Sequence, residues 1–404
     1  MESYGRFVIV ILDGFGVGEM PDVEAVRPDD KGAFTCKHLF EKMQGLYLPT
    51  LERLGIVNIT GFPLGTMKLS EKAITGKARL VHFGADTFFG HQEIMGTEPR
   101  EVRCELFRDI IDKTESVLAS NGFSVRRHTV EGQTLLIIDD VVTIADNIEC
   151  DPGQAINVTA AIDDIPFERV QEIGRLVRSV TQTPRVISFG GRGVKLNDLI
   201  ESIEVYDGRI GVNAPGSGVY NEDYHCIHLG YGVNAEVQAP TLIGRVGIPV
   251  FLLGKAADVV SNEFGTSISM VDTKEVLRTT LGLISENKTG FFCVNVQETD
   301  LCGHRENVEE YARVLEIADY WIGKIVEIMA EGDILVVMGD HGNDPTIGHP
   351  HHTREMVPLM IHSSREGLVG LGIRSTMADI AATACEYFSV SAPESGKSFL
   401  SEII

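Results

Sequence analysis

Asp340 and His341 stand side by side where an apolar run of strand length, Ile334 to Met338, comes to an end. Three further histidines, His349, His351 and His352, follow within a dozen residues. In an open α/β sheet, ligands bind outside the carboxyl ends of the strands. A carboxylate and an imidazole arriving there together read as half of a metal site. The other half is spread through the chain. Asp13 follows the apolar run Phe7 to Leu12 and opens the turn Asp13-Gly-Phe-Gly-Val-Gly18, whose glycines let the backbone approach a ligand closely. Asp300 and His304 are four apart, a spacing that aligns both side chains on one side of a helical turn. Asp86-Thr87 precedes a helix-compatible stretch, which places the Thr87 hydroxyl near a helix N-terminus. Free N–H groups and the helix dipole there favour a phosphate or an alkoxide.

Taken singly, each of these residues has a plainer reading. Asp13 and Thr87 would serve as helix caps, and Cys302, beside Asp300, as a small packed side chain. Together Asp13, Thr87, Asp300, His304, Asp340, His341 and one histidine of the 349–352 cluster make seven O and N donors, most of them directly after strand-like runs. Mixed carboxylate and imidazole donors suit Mn²⁺ or Zn²⁺ rather than Ca²⁺. Seven donors are enough for two divalent metal ions, the arrangement that clamps a phosphoryl group during in-line displacement, with a threonine hydroxyl as nucleophile.

The elements that must position these donors alternate. Helical periodicity runs over residues 36–55, and after Pro240 come a helix at Thr241–Val246, a strand at Val250–Leu253, a turn at Gly254–Asp258 and a helix at Asp272–Ile284. A strand at Gly290–Val296, a long helix at Val308–Met329, the strand at Ile334 and another at Leu359–Ile361 follow. The texture changes between them. An amphipathic segment with Leu106, Ile110, Ile111 and Leu118 leads to strands at Thr134–Ile138 and Val141–Ile144, a helix at Phe167–Val180 and a strand at Arg185–Phe189. No ligand cluster falls in that section. The expected fold is therefore α/β: a mostly parallel sheet flanked by helices in a discontinuous core, 1–100 with 233–404, and an inserted α+β cap, 101–232.

A chain of 404 residues is long enough for two domains. Its net charge of −23 argues against nucleic acid or an anionic membrane as partner, and leaves bound cations to concentrate positive charge for a phosphorylated substrate. The segment Met1 to Leu12 lacks a basic leader region and reads as a buried first strand, and no apolar run reaches the length of a membrane span. Seven cysteines without a CxxC pair fit free thiols in a reducing cytoplasm.

The set Asp13-Gly-x-Gly, Asp86-Thr-x-x-Gly-His, Asp300-x-x-Gly-His, Asp340-His-Gly-Asn and His352-Thr-Arg-Glu resembles the alkaline phosphatase superfamily, most closely the phosphopentomutases, with the cofactor-independent phosphoglycerate mutases as cousins. Gly90-His-Gln-Glu-Ile-Met-Gly96 and Gly254-Lys-Ala-Ala-Asp258 add to the likeness. It implies an alkaline-phosphatase-like core in which Asp13, Thr87, Asp340 and His341 hold one metal, and Asp300, His304 and His352 the other. His349 and His351 remain alternatives to His352. It further implies that Thr87 carries a phosphoryl group, primed by a sugar bisphosphate, and that the cap recognises a small phosphosugar. Lys255 is expected to contact phosphate, an ordinary exposed lysine being the alternative, and Asp146 to lie near the site.

The departures from phosphopentomutases concern the substrate. Ala85 stands where they carry lysine, Gln92 where they carry tryptophan, and the Asp300–His304 spacing is that of phosphoglycerate mutases. Their basic cap segment is replaced by Gly211 to Tyr224, which contains no Arg or Lys, with Arg209 and Arg192 upstream as substitutes. The expected activity is a phosphomutase acting through a phosphothreonine. The alternatives are a metal-dependent phosphatase or phosphodiesterase and, in another class, a non-catalytic metal-binding protein.

Overall fold

The computed structural model describes residues 4–150 and 152–404, so Met1–Ser3 of the first-strand segment lie outside it. The chain divides into two compact units, one comprising the residues up to Pro99 together with Asn234–Ile404, the other Arg100–Val233.

The first unit is built on an eight-stranded sheet: β1 (Arg6–Leu12), β2 (Ile74–Ala78), β3 (Val250–Leu253), β4 (Thr266–Ile268), β5 (Gly290–Val296), β6 (Ile334–Met338), β7 (Val357–His362) and β8 (Val369–Arg374). Their order is β4-β3-β5-β1-β6-β7-β2-β8, and only β7 runs antiparallel to its neighbours. Every residue of β1, β5 and β6 is buried. Their unbroken apolar runs, not an alternating pattern, are what a sheet covered on both faces requires. Val8, Val10 and Leu12 pack into one core with Leu315 and Ile322 of the helix Val308–Ile328. Phe7, Ile9 and Ile11 face a second core with Ile380 and Ala384. Each such aliphatic side chain contributes roughly 1.5–3 kcal/mol on burial, so the central strands are the most firmly held part of the unit. That rigidity is carried to whatever stands at their carboxyl ends.

The second unit holds a six-stranded sheet ordered His225–Gly230, Arg185–Gly191, Ala155–Ala161, Val142–Asp146, Gln133–Ile138 and Val125–Val130, antiparallel except between Ala155–Ala161 and Arg185–Gly191. Helices Phe107–Ser120 and Phe167–Arg178 share an apolar core with it.

Three local readings change. The periodicity over 36–55 belongs to two helices, Thr35–Lys42 and Pro49–Leu54, because Pro49 has no N–H to continue a helix and Leu48 before it is non-helical at φ −119°, ψ 81°. The expected turn at Gly254–Asp258 is a short helix, Lys255–Val259, entered through Gly254 at φ +67°. β2 and β8 escape the periodicity reading because glycines interrupt both. A Cβ at Gly76 would lie 2.9 Å from the Gly372 carbonyl, so the close pairing needs glycine there.

Candidate functional site

The three central strands end together, and the donors stand at those ends. Asp13 follows β1, and its amide bonds back to the Val296 carbonyl at the end of β5. Its own carbonyl accepts from Thr299 Oγ1 at 2.6 Å. Gly14 turns the chain at φ +71°, and a Cβ there would lie 2.9 Å from Asn343. Its amide donates to Asp340 Oδ1 at 3.1 Å, which ties the β1 turn to the β6 turn. The helix Glu298–His304 carries Asp300 and His304. Asn343 Nδ2 holds Asp300 by its Oδ1 (2.8 Å) and its carbonyl (3.1 Å).

Thr87 is the first residue of the helix Thr87–Ile94, capped by Asp86, whose side chain accepts from the Phe89 amide. Its hydroxyl donates to Asp340 Oδ2 at 2.8 Å and lies 3.4 Å from Lys255 Nζ. The ammonium is also 2.8 Å from Asp13 Oδ2 and 3.1 Å from Asp300 Oδ2. Lys255 is thus no ordinary exposed lysine. His341 Nε2 is 3.3 Å from Asp13 Oδ1, and its ring stacks on His352 with centroids 4.0 Å apart. His352 Nε2 stands 3.2 Å from Asp300 Oδ1 and 3.0 Å from His304 Nε2. All seven donors, with His352 as the cluster histidine, converge in one place. His349 instead faces Asp30 at 3.1 Å, and His351 packs against His349.

The imidazole tautomers say what the place is for. His341, His304 and His352 each have Nδ1 against a backbone carbonyl, of Gly342 (2.9 Å), Pro350 (2.6 Å) and Ala85 (2.7 Å) respectively. Nδ1 is then a donor, and Nε2 carries the lone pair whenever the ring is neutral. Three Nε2 lone pairs are aimed among three carboxylates, and two of them face each other at 3.0 Å. Asp13 Oδ1 and His341 Nε2 are buried without a hydrogen bond. Two groups, Asp13–Asp340–His341 and Asp300–His341–His352, have ligand atoms close enough to share one ion each. Outer carbonyls that fix the tautomer of each imidazole are the usual support of metal ligands, so the residues fit divalent cations.

The electrostatics agree. Burial opposes charge on His341, yet Asp340, Asp13 and Asp300 push its imidazole up to about 10. Burial likewise opposes the Lys255 ammonium, and Asp13, Asp300 and Asp340 overcome it and hold it charged. Burial works against ionised Asp300, but His352, Lys255 and His304 keep its carboxyl well below the usual range. The group draws in positive charge.

Asp146 and Arg209 lie inside the second unit with structural partners. Asp146 accepts from the Phe107 amide at 2.7 Å and the Ile210 amide at 3.3 Å, and burial raises its pKa. Arg209 Nη1 donates to the carbonyls of Asn147 and Cys150. Arg192 is paired with Asp163 and Asp223. The sequence reading assigned no role to Asn343, His91, Arg354 or Glu355, although all four fall inside the quoted motifs. His91 Nδ1 lies 2.9 Å from the Thr87 carbonyl and 3.3 Å from Asp340 Oδ2, and its Nε2 faces Asn295 at 2.9 Å. Their adjacency to ligands in the chain was the available signal.

Residues 5–392 match the family model described as the metalloenzyme superfamily, and the chain belongs to that superfamily. Within it the chain is 30% identical to the phosphopentomutase of Caldanaerobacter subterraneus subsp. tengcongensis across a 419-position alignment covering 98% of each. It is a phosphopentomutase-like metalloenzyme. Among solved structures, the phosphoglycerate mutase of Leishmania mexicana is 13% identical with TM-score 0.47, covering 98% of this chain and 97% of that one. A variant of TAB5 alkaline phosphatase is 12% identical with TM-score 0.36, covering 97% and 99%. Among the described residues no helix is long and apolar enough to cross a membrane.

Proposed function

We propose that the protein is a phosphomutase that moves a phosphoryl group within a small phosphosugar by way of a phosphothreonine at Thr87. The observation that supports it best is the Thr87 hydroxyl, placed at a helix N-terminus between Asp340 and Lys255 and within the convergent imidazoles and carboxylates. Asp13, Thr87, Asp340 and His341 would hold one divalent ion, and Asp300, His304 and His352 the other, with Mn²⁺ favoured by the mixed donors. Bound there, the ions would lower the pKa of the threonine hydroxyl and neutralise charge on the transferring group.

In the first half-reaction the bond from Thr87 Oγ1 to phosphorus breaks and one from a sugar hydroxyl oxygen forms, giving a sugar bisphosphate. In the second, Thr87 Oγ1 takes the other phosphoryl group. The proton lost by the accepting hydroxyl in the first half equals that gained by the leaving oxygen in the second, so the cycle is neutral in protons. Asp340 orients the hydroxyl. Lys255 faces the oxygens that carry charge in flight. The section 101–232 serves as the cap that recognises the sugar, and a sugar bisphosphate primes the enzyme.

A hydrolase reading is favoured by one observation. The cap arginines that would replace the missing basic segment are engaged elsewhere, Arg192 with carboxylates and Arg209 with carbonyls. A Mn²⁺-supplemented panel of sugar phosphates with trace sugar bisphosphate, read for isomer and free phosphate together, separates the two. Isomer without phosphate is expected, and phosphate alone assigns a phosphatase. Thr87→Ala should abolish turnover with metal content retained, and wild-type turnover by that variant would sink the nucleophile assignment.

A further inference from the structure

Residues 80–86 connect the end of β2 to the nucleophile helix, and their backbone is gripped from two sides. Arg354 Nη1 donates to the carbonyls of His82 (2.9 Å) and Gly84, and Nη2 to that of Leu80 (3.2 Å). Two residues earlier, His352 Nδ1 holds the Ala85 carbonyl. On the amide side, Glu93, in the same helix as Thr87, accepts from the amides of Val81 and His82 and faces His82 Nδ1 at 2.8 Å. Arg354 completes its fork with Asp22, Nε to Oδ1 and Nη2 to Oδ2, both at 2.8 Å. All five N–H donors of the guanidinium are then used, three on the loop and two on the carboxylate. Its backbone is fixed as well, the amide by Asp30 Oδ2 and the carbonyl by the Met20 amide.

We propose that Arg354 is a positioning residue that sets Thr87 relative to the Asp300–His304–His352 group. The inference rests on the phosphoryl-transfer reading of Thr87. One three-residue segment, 352–354, carries both a ligand imidazole and the guanidinium that grips the loop ending at Asp86. The carbonyl that orients His352 belongs to Ala85, two residues before the nucleophile. His352 is also held beside Asp300 and His304, so a displacement of the loop shifts the Thr87 hydroxyl against that group. Lysine cannot replace this arrangement, because an ammonium does not reproduce a planar five-donor fork. Asp22, whose side chain is 44% exposed, is the outer anchor of the fork and does not touch the loop itself.

The test uses Mn²⁺-loaded enzyme and compares wild type, Arg354→Lys and Asp22→Ala. It reads kcat, KM, bound metal, Tm and the rate at which sugar bisphosphate adds a phosphoryl mass to Thr87. A misplacement of about 1 Å costs on the order of 100-fold, which is the loss of kcat and of phosphorylation rate expected for Arg354→Lys, with KM and metal content retained. Asp22→Ala loosens the fork without removing it and should lose about 10-fold by the same effect, with Tm near wild type. Its surface position keeps the test decisive even if Arg354→Lys does not fold. A wild-type kcat in Asp22→Ala, or in folded Arg354→Lys, would overturn the proposal. Wild-type enzyme that turns over without phosphate on Thr87 would instead overturn the phosphothreonine reading. The kcat ratios would then still decide whether the loop needs Arg354.

Discussion

Replacing Asn343 by aspartate changes one charge at constant shape. Asn343 is fully buried, and its Nδ2 lies 2.8 Å from Asp300 Oδ1. In Asn343→Asp that donor becomes an oxygen facing an oxygen. Two unit charges at 2.8 Å repel by ~6 kcal/mol at an effective dielectric of about 20, equivalent to about four pKa units. Lys255, 3.1 Å from the other oxygen of Asp300, already faces Asp13 as well, so it offsets only part of the repulsion. A net rise of roughly two to four units is expected. The new carboxyl would titrate near pH 6–8 in the folded, metal-free protein and near 3.9 in the unfolded chain, on the order of its reference value. The folded pKa is the raised one. The stability linked to it is therefore present below about pH 4 and lost as pH rises through the folded pKa, by roughly 3–5 kcal/mol at pH 8. Urea denaturation in EDTA at pH 5 and pH 8 should capture roughly 1.5–3.5 kcal/mol of this against wild type, because the loss already begins below pH 5. Mn²⁺ should reverse the loss, because a cation satisfies both carboxylates, so metal stabilises the variant more than wild type at pH 8. An unchanged pH dependence in EDTA would refute the placement of Asn343 against a desolvated Asp300.

Two further outcomes follow from buried carboxylates behind the ligands. Burial, with Asp344 adding to it, pushes Glu355 up to about 7, against the hydrogen bonds from Thr35, Thr353 and Gly18. That raised pKa contributes stability that is lost as pH rises from the unfolded value towards 7. Relative to Glu355→Gln, wild type should therefore lose about 2.5 kcal/mol between pH 5 and pH 8, measured by denaturation at both. Glu93 accepts from Val81, His82, Thr376 and Met377. Glu93→Ala strands those donors and should cost roughly 3 kcal/mol or more of unfolding free energy, while a change below about 1 kcal/mol, the range of ordinary surface substitutions, would show that the clamp is slack.

What could be read from the chain was what is local. Asp13, Asp340 and Asp300 announce themselves because each comes just after a buried parallel strand or at the start of a short helix, where side-chain type and position are both fixed by a few neighbours. The apolar runs of β1, β5 and β6 were legible for the same reason. The support was not. Arg354 meets Leu80 across 274 positions and Asn343 meets Asp300 across 43, and neither pairing leaves a periodicity or a spacing in the chain. The same limit hid β2 and β8, whose glycines serve a close backbone approach that only the folded sheet reveals. Spacing alone left the cluster 349–352 open, and it was the resemblance that favoured His352, the histidine before Thr-Arg-Glu. The tie is broken by Ala85 and Asp30, residues far upstream that take His352 and His349 in different directions.

Charge is the thread that joins the site to the whole chain. Asp13, Asp300 and Asp340 against the one ammonium of Lys255 leave the group two charges negative when its imidazoles are neutral. A protein of net charge −23 would repel a phosphate ester from such a place. With two divalent ions held by the proposed donors, the same group becomes two charges positive. That matches a phosphate dianion on the substrate or on Thr87, and protonating every imidazole would give at most a singly charged group. Burial opposes charge on His341 but its carboxylates push it up to about 10, so under that proposal a proton and a metal would compete there. Its Nε2 faces Asp13 and Asp340, so the ion proposed for Asp13, Thr87, Asp340 and His341 would have to displace that proton. Under the two-ion proposal, the chemistry of this chain would therefore depend less on its overall acidity than on whether His341 held a proton or a metal.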